Sequence, residues 1–378
     1  MKHIIEGNPI APIPQVNPQV KSLEVDEDSA GQRLDNFLMR HLKGVPKTHV
    51  YRIIRSGEVR VNKGRASADT RVKTGDLVRL PPVRLSERVA EKAQAMAEGA
   101  ANLGTKGGPA REFPILFEDE AMLAIDKPAG VAVHGGSGVS FGVIEQLRMA
   151  RPEAKFLELV HRLDRETSGV LLLAKKRSAL KTLQDQFRER ETGKTYLALV
   201  VGQWPTNKKV LDKPLHKYLL PDGERRVKVV ARDDPDGMKS VTLVKVREQF
   251  AVRPELVEGL VGASTLRQAQ DRPSSARTGK FSLLEVTIKT GRTHQIRVHL
   301  ASEGFPIAGD DKYGDFEFNK ALQKTASKTT TNGTSLKRMF LHAWRLQFSH
   351  PVSDERIELL SPLPPELEQF LTHVAPKT

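Results

Sequence analysis

Residues 161–175 read HRLDRETSGVLLLAK, a polar loop that runs directly into an apolar stretch, Val170–Ala174. A short continuous apolar run that follows a turn signal is typical of a buried β-strand. The loop holds Asp164 among arginines, which suits a carboxylate kept ionised by guanidinium groups and directed at an anionic substrate. The alternative for a single loop aspartate is structural: it caps a turn or pairs with an arginine.

The chain of 378 residues is long enough for two or three domains. It carries 60 Lys and Arg against 46 Asp and Glu, a formal net charge of +14, which favours a polyanionic partner such as nucleic acid. No apolar run approaches the ~20 residues that span a bilayer, and no signal-peptide hydrophobic region is visible, so we expect a cytoplasmic protein with no membrane association. Cysteine is absent, which excludes a disulfide framework, a thiolate nucleophile and a cysteine-based zinc site.

Residues 32–80 form a compact basic region with twelve Lys or Arg and four Asp or Glu residues. Apolar residues at helical spacing predict two short helices, the first ended by Gly44 and the second opened by Pro46. The residues concerned are Leu34, Phe37, Leu38 and Leu42, followed by Val50, Ile53 and Ile54. Alternation around Val59–Asn62 and a turn before Leu77–Leu80 predict strands. Charge clustered on so small a helical pair favours nucleic-acid contact over an ordinary solvated basic surface.

A larger unit from about residue 113 to about residue 374 mixes strands and helices without a regular βαβ alternation. We therefore predict an α+β fold with a mixed, largely antiparallel sheet. The predicted strands are Met122–Ile125, Val170–Ala174, Leu197–Val201 and Leu283–Ile288, and the predicted helices are Ala179–Arg190 and Gln295–Ser302. Two segments, 252–280 and 322–336, resemble inserted surface excursions that a core tolerates. RNA-contacting loops are the alternative for these two segments.

Two further motifs carry candidate chemistry. Asp126–His134 contains a Lys-Pro-Ala-Gly turn in which Lys127 can meet a phosphate, although a tight turn before a loop is its structural reading. Glu191–Tyr196 leads into an apolar run. A tyrosine that opens a strand usually packs in the core with its hydroxyl at the rim. Tyr196 is therefore assigned to a functional site only because the other motifs are also present.

The last motif is Ile288–Leu300, which predicts a strand end, a turn at Gly291 and a helix capped by Thr293. Apolar residues four apart on that helix, Ile296 and Leu300, should face inward.

The same helix carries three residues with functional potential. Arg297 lies beside the inward-facing residues, so it should be partly buried and in need of a carboxylate partner. His294 and His299 are five residues apart and do not share a helical face, so we expect hydrogen bonding from them rather than metal binding.

Together these four motifs resemble those of the RNA pseudouridine synthases of the RluA type, whose HRLDxxTSG, KPxG and KxY elements match Asp164, Lys127 and Tyr196 with their neighbours. Residues 32–80 resemble the S4 RNA-binding domain. The nearest subgroup by resemblance modifies large-subunit ribosomal RNA. The resemblance implies a small N-terminal S4-like domain and a larger catalytic domain with the pseudouridine synthase fold.

The resemblance also implies roles for three residues. Asp164 is the catalytic residue, which attacks C1′ as a nucleophile or takes a ribose proton as a base. Tyr196 stacks on the uracil ring and helps to remove the C5 proton. Arg297 pairs with Asp164, which keeps the carboxylate ionised and oriented. No cofactor and no metal are expected, because the product is an isomer of the substrate.

Basic residues in both regions are expected to contact RNA: Arg162, Lys194 and Arg292 near the site, and Lys47, Arg52, Arg55 and Arg60 in the S4-like region. Arg162 lies two residues before Asp164 and points to the same side in an extended loop. Its flat guanidinium can fill the gap in a base stack or contact a phosphate, and both roles stay open. Lys194 is in addition a candidate for supporting the Asp164 ion network.

We expect a flexible tail (1–20), an S4-like domain (21–83), a linker (84–111) and a catalytic domain (112–374), in a monomer that acts on ribosomal RNA. Two other functions compete with this one. The first is an inactive RNA-binding or ribosome-assembly factor. The second is a hydrolase of a polyanion with Asp164 and Glu166 as its acid/base pair, since alternate residues of an extended loop share a face.

Overall fold

The computed structural model describes residues 20–26, 29–42, 45, 47–82, 110–135, 141–221, 223–251, 280–324 and 335–374. The chain divides into two units, Met1–Gly108 and Pro109–Thr378. The predicted tail (but for its last residue), most of the predicted linker and most of both predicted excursions lie outside the described residues. None of the described helices is long and apolar enough to cross a bilayer.

In its described residues, the first unit combines two helices with a small antiparallel sheet of strand order β1-β4-β2-β3. Its elements are β1 (Lys21–Glu24), α1 (Leu34–His41), α2 (Lys47–Arg55), β2 (Arg60–Val61), β3 (Gly64–Arg65) and β4 (Leu77–Leu80). The predicted apolar stripes of α1 and α2 are buried against each other and against the sheet, with Leu42 partly buried beside them. The two helices were therefore predicted correctly, whereas Gly44 and Pro46 lie outside the described residues.

The second unit is built on a large sheet of strand order β10-β13-β14-β9-β15-β8-β6-β5, with β16 beside β15 and β7 beside β8. Every pairing in it is antiparallel except that of β15 with β8, so the predicted α+β class is confirmed. Its strands are β5 (Ile115–Glu118), β6 (Met122–Lys127), β7 (Glu158–Leu159), β8 (Ser168–Ala174), β9 (Gly193–Val201), β10 (Val210–Asp212), β13 (Val241–Ala251), β14 (Lys280–Ile288), β15 (Leu341–Ser349) and β16 (Arg356–Leu360).

Among its described residues, the second unit also has a separate hairpin and five helices. The hairpin strands are β11 (Leu215–Leu219) and β12 (Arg225–Val229). The helices are α3 (Val143–Ala150), α4 (Arg177–Glu189), α5 (Gln295–Ser302), α6 (Phe316–Lys324) and α7 (Pro365–Val374). All four predicted strands and both predicted helices of this unit are present. Both ends of the second predicted excursion belong to the fold instead, since Leu322 lies within α6 and is buried in the core with Leu336.

Strand β8 explains why the opening stretch is so apolar. All seven of its residues are buried. Because successive side chains point to opposite faces, Leu171 and Leu173 pack with α3 on one face, whereas Val170 and Leu172 pack with α4 on the other. A strand covered on both faces needs an apolar residue at every position, and this burial fixes the polar loop in front of it at the sheet edge.

Gly169 allows β15 to approach β8 closely. Its φ is +111°, and a Cβ atom placed there would lie 2.2 Å from the carbonyl oxygen of Ala343 on β15. Gly130 has a comparable φ of +81°, but no atom lies within 4 Å of the position that a Cβ would take. Alanine substitutions at the two glycines therefore distinguish the cost of backbone strain, which both share, from the cost of a steric clash, which arises only at Gly169.

We expect Gly169→Ala to lower the free energy of unfolding by more than ~3 kcal/mol, because it adds a clash with the β15 backbone to the strain of a left-handed residue. Gly130→Ala is the matched control and should cost only ~1–2 kcal/mol. Urea unfolding followed by tryptophan fluorescence measures both, since Trp204 and Trp344 lie in this unit. Equal costs for the two variants would contradict the steric argument.

Candidate active site

Asp164 lies in the loop between β7 and β8, at the edge of the large sheet. Its side chain is 29% exposed. It lines a cavity of about 600 Å³, within the range of small-molecule sites, and a smaller cavity of about 90 Å³ beside it. Both cavities share Arg162, Tyr196, His294 and Arg292 as lining residues. Three segments that are distant in sequence are thus brought together at one open site.

Arg297 is almost fully buried, with 3% of its side chain exposed, and three carboxylates face it, those of Asp164, Asp310 and Asp311. Its Nε and Nη2 donate hydrogen bonds of 2.7 Å each to the two carboxylate oxygens of Asp310. Its Nη1 lies 3.6 Å from Oδ2 of Asp164. The predicted contact between Arg297 and Asp164 exists, but the short bidentate partner of Arg297 is Asp310, which the sequence analysis did not assign to it.

The carboxylate of Asp310 is held in place by its own chain. The backbone N–H groups of Lys312 and Tyr313 donate to Oδ1 at 2.8 and 3.0 Å. Burial raises the pKa of the Asp310 carboxyl, but the hydrogen bonds and charge of Arg297 and the two backbone hydrogen bonds together outweigh it, and the pKa lies below the usual 3.8. The pKa of Arg297 is raised, since the charge and hydrogen bonds of Asp310 outweigh the effect of burial. Both groups are therefore charged in the folded protein.

Tyr196 stands on β9 and faces the same cavities as Asp164. Burial raises the pKa of its hydroxyl, and the negative charge of Asp164 raises it further. The side chain is therefore a neutral phenol at neutral pH. Its ring forms part of the apolar wall together with Leu163 and Ile288.

The predicted basic residues differ in their surroundings. Arg162 is exposed and lines both cavities with Asp164, as expected for alternate residues of an extended segment. Lys194 is buried, and its Nζ lies 5.2 Å from the centre of the Phe187 ring. Burial, and then the charges of Arg190 and Lys289, lower the pKa of Lys194. Across the described ranges no ion pair joins Lys194 to Asp164, and its part in that network stays a prediction, although both residues line the larger cavity.

The basic residues predicted on the first unit are described separately, because they belong to the other unit. Arg52 and Arg55 are exposed on α2, as their spacing predicted, and Arg60 is half-buried on β2. Arg52 also approaches Glu58, with 3.6 Å between Nη1 and Oε1. The side chain of Lys47 lies outside the described residues.

The extended-loop argument does not hold for Glu166. The backbone N–H of Thr167 donates to the carbonyl of Asp164 at 3.1 Å, so the chain turns after Asp164. Glu166 consequently lines a different cavity, together with Asp126 and Arg338. The two carboxylates do not share a face, and the acid/base pair required by the hydrolase hypothesis is not formed.

Lys127 does not point into the site, so the predicted phosphate contact is wrong. Its side chain is fully buried, and Nζ donates to the carbonyl oxygens of Pro128, Val131 and Arg165 at 2.8, 2.8 and 3.1 Å. The physical reason is its place at the end of β6, where Pro128 starts a turn whose carbonyls need donors. Lys127 thus joins the turn at 128–131 to the loop that carries Asp164.

The start of α5 also differs from the prediction. Thr293 does not cap this helix; the preceding residue is His294, in the left-handed conformation with φ of 53°. The buried side chain of Gln295, the first residue of the helix, holds the preceding turn instead: its Oε1 accepts from the backbone N–H of Arg292 at 3.1 Å and from Thr290 Oγ1 at 2.7 Å. A buried glutamine at a helix start was the signal for this arrangement.

The two histidines of this region make hydrogen bonds, as predicted. His299 is buried and contacts Thr242 Oγ1 at 2.8 Å and the carbonyl oxygen of Lys213 at 3.0 Å. His294 contacts the hydroxyl of Tyr313 at 2.8 Å, and its Nε2 lies 3.9 Å from Asp164 Oδ2. His294 is therefore part of the site, which the sequence analysis did not foresee.

One group of described residues has the composition of a metal site. His216, Asp234 and Asp236 offer ligand atoms within 4.8 Å of one another near the β11–β12 hairpin. Asp236 is exposed, and exposed acidic groups of this kind are common without an ion. The group is separate from the residues that line the Asp164 cavities.

Comparison with known proteins identifies two matched regions. A family model described as RNA pseudouridylate synthase matches residues 121–302, and the S4 domain model matches residues 32–78. The chain is 44% identical over 356 residues to ribosomal large subunit pseudouridine synthase C of Pasteurella multocida (strain Pm70), covering 94% of each chain. It is 46% identical over 354 residues to the protein of the same name from Escherichia coli (strain K12), covering 94% of this chain and 96% of that one.

Among solved structures, human RNA Pseudouridylate Synthase Domain Containing 4 matches with a TM-score of 0.49 and 24% identity, over 75% of this chain and 97% of its own. The two matched regions of the sequence models contain the Asp164 and Arg297 motifs and the basic helical pair, respectively.

Burial, and to a smaller extent the positive charge of Arg338, lower the pKa of Lys127 to about 7. Between pH 7 and about 10 the unfolded chain therefore binds one more proton than the folded chain, and stability should rise with pH. We expect the free energy of unfolding of the wild type to rise relative to that of Lys127→Met by up to ~1.4 kcal/mol per pH unit in this window.

Urea unfolding of both proteins at pH 6 to 10 measures this difference. Below pH 7 the difference should be constant, because Lys127 is protonated in both states there. Lys181→Met, at an exposed position of α4, controls for the loss of one lysine. A constant difference up to pH 10 would show that the buried ammonium keeps its proton.

Asp310→Asn should lower the free energy of unfolding by ~3–5 kcal/mol, because it leaves Arg297 buried with half of its main ion pair removed. Asp311 also faces Arg297, at 3.5 Å, but is 72% exposed. Asp311→Asn is thus the matched control and should cost less than ~1 kcal/mol. Urea unfolding of both variants tests this, and similar costs would be incompatible with Asp310 as the structural partner.

Proposed function

Because this chain belongs to the RNA pseudouridylate synthase family, we propose that it converts specific uridines of large-subunit ribosomal RNA to pseudouridine. The ribosomal large subunit is the substrate named for both bacterial relatives. The observation that carries the proposal is the geometry around Asp164: an open carboxylate, a phenol beside it, and a buried guanidinium 3.6 Å away.

The reaction exchanges one bond to the ribose for another. The bond between N1 of uracil and C1′ breaks, the base turns, and a bond between C5 and C1′ forms. The proton leaves C5 and a proton is gained at N1, so the atoms balance without a cofactor. Asp164 assists the detachment of uracil, either by attack on C1′ or by removal of a ribose proton.

The other site residues act around that step. Tyr196 stacks on the ring and takes part in removal of the C5 proton, for which its phenol lies in the same cavity as Asp164. Arg297 holds Asp164 in place, and Asp310 holds Arg297. The target uridine leaves its base stack to reach a cavity of about 600 Å³.

Binding of RNA rests on phosphate contacts from basic residues of both units. Arg162 and Arg292 at the cavity, with Arg52, Arg55 and Arg60 in the S4 domain, are our candidates, together with Lys47 and Lys194. Arg162 fills the vacated place in the base stack or binds a phosphate, and its exposure supports both roles. The proposal further includes a monomeric cytoplasmic enzyme with an S4 domain at 21–83 and a catalytic domain at 112–374.

A catalytically inactive RNA-binding protein is the second candidate. The S4 domain and the net charge of +14 are compatible with it. The arrangement of Asp164, Tyr196 and Arg297 favours the enzyme, because a binding protein has no need of a braced carboxylate in an open cavity.

The decisive experiment is pseudouridine mapping on unmodified large-subunit ribosomal RNA incubated with the purified protein. The wild type should form pseudouridine at a small set of positions, and Asp164→Asn should reduce formation by more than ~10⁴-fold, since it removes both nucleophile and base. Asp311→Asn, which alters an exposed carboxylate nearby, controls for loss of charge. Full activity of Asp164→Asn would end the proposal, and RNA binding without product in either protein would favour the binding protein.

A further inference from the structure

His294 links the Asp164 cavity to Tyr313, a residue of the turn that follows α5. Its Nδ1 lies 2.8 Å from the Tyr313 hydroxyl, and its Nε2 lies 3.9 Å from Asp164 Oδ2. The two ring nitrogens thus face opposite ways, one towards a hydroxyl in the protein and one towards the reactive carboxylate. The side chain is 15% exposed, which limits the access of water.

The hydrogen bonds of Tyr313 favour the tautomer of His294 that carries its proton on Nε2. The Tyr313 hydroxyl accepts the backbone N–H of Val227 at 3.0 Å. Its single proton is then free to be donated to Nδ1 of His294, which places the proton of a neutral imidazole on Nε2. The ring of Tyr313 is held by two guanidinium groups, those of Arg297 at 5.2 Å and Arg226 at 5.7 Å from its centre.

A neutral imidazole is the form that this site favours. Burial lowers the pKa of His294, and the negative charge of Asp164 opposes that shift only in part. At neutral pH the ring therefore presents an uncharged Nε2–H group towards Asp164. Arg297 can offer Asp164 only Nη1, which lies 3.6 Å from Oδ2, because Nε and Nη2 are occupied by Asp310, so the carboxylate has room for a second donor.

We infer that His294 is a positioning residue for Asp164, whose Nε2–H, held in that tautomer by Tyr313, is the neutral donor that orients the carboxylate beside Arg297. The inference rests on the proposed function and deepens it. A neutral donor orients the carboxylate without adding a second cation, which would stabilise the anion and weaken it as nucleophile or base. The distance of 3.9 Å shortens to a hydrogen bond when substrate fills the cavity, as catalytic contacts commonly do.

Two substitutions of His294 distinguish the effect of its side-chain N–H donor from the effect of its left-handed backbone conformation. Asparagine adopts the left-handed conformation readily, so His294→Asn keeps the backbone with φ of 53°, but its amide is too short to reach Asp164. Glutamine reaches as far as Nε2 and supplies an N–H donor, at the cost of backbone strain. We expect His294→Asn to lower kcat by ~10–100-fold with an unchanged KM, and His294→Gln to stay within ~5-fold of the wild type.

Single-turnover rates and KM on unmodified ribosomal RNA measure this split, with melting temperatures as the check on folding. Retained activity in His294→Asn, with loss in His294→Gln, would show that only the backbone conformation matters. Equal activity or equal loss in both variants would likewise overturn the inference. In each case the wild type still forms pseudouridine and Asp164→Asn does not, which keeps the proposed function separate.

A double-mutant cycle tests the role of Tyr313 independently. Tyr313→Phe keeps the ring between its two arginines but removes the hydroxyl, so the imidazole proton is no longer confined to Nε2. We expect a ~5–20-fold lower kcat in the wild-type background and no further loss in the His294→Gln background. Tyr218→Phe, an exposed tyrosine on β11, is the matched control. Additive losses would assign Tyr313 a purely structural role and overturn the tautomer argument.

Discussion

The bidentate pair between Arg297 and Asp310 is the interaction on which the geometry of the site depends. Both side chains are at most 3% exposed, so each would be a costly isolated charge without the other. Because Asp310 binds Nε and Nη2 of Arg297, the guanidinium has no freedom to rotate. Its third nitrogen, Nη1, is directed at Asp164. The turn that supplies Asp310 also supplies Tyr313, so one short segment determines the surroundings of both Arg297 and His294.

The fold and the position of the main residues could be predicted because they depend on local patterns. The apolar run after Asp164 predicted β8, and the four-residue spacing of Ile296 and Leu300 predicted the buried face of α5. From that face it followed that Arg297 is buried and needs an acid. The order of the motifs along the chain, which matches a known family, added the expectation that the segments carrying Asp164, Tyr196 and Arg297 meet in one site. Periodicity alone does not predict which segments come together.

The missed features are contacts between segments that no local pattern records. Asp310 and Asp311 are adjacent acids that the sequence does not distinguish. Only the packing of the turn decides that Asp310 is buried against Arg297. Lys127 was expected at a phosphate, but three carbonyl groups of neighbouring loops satisfy it. Thr293 was expected to cap α5, but the residue before the helix is His294 in the left-handed conformation, and no side chain caps the helix there.

Strand β15 enters the large sheet between β8 and β9, although it follows them by well over a hundred residues in the chain. Until residues 341–349 have been synthesised, β8, which follows the Asp164 loop, and β9, which carries Tyr196, have no neighbour on their facing edges. The close approach of β15 to Gly169 is also missing until then. A nascent chain on the ribosome therefore cannot complete its own site during most of its translation. Truncation anywhere before β15 would leave the facing edges of β8 and β9 unpaired and available for aggregation.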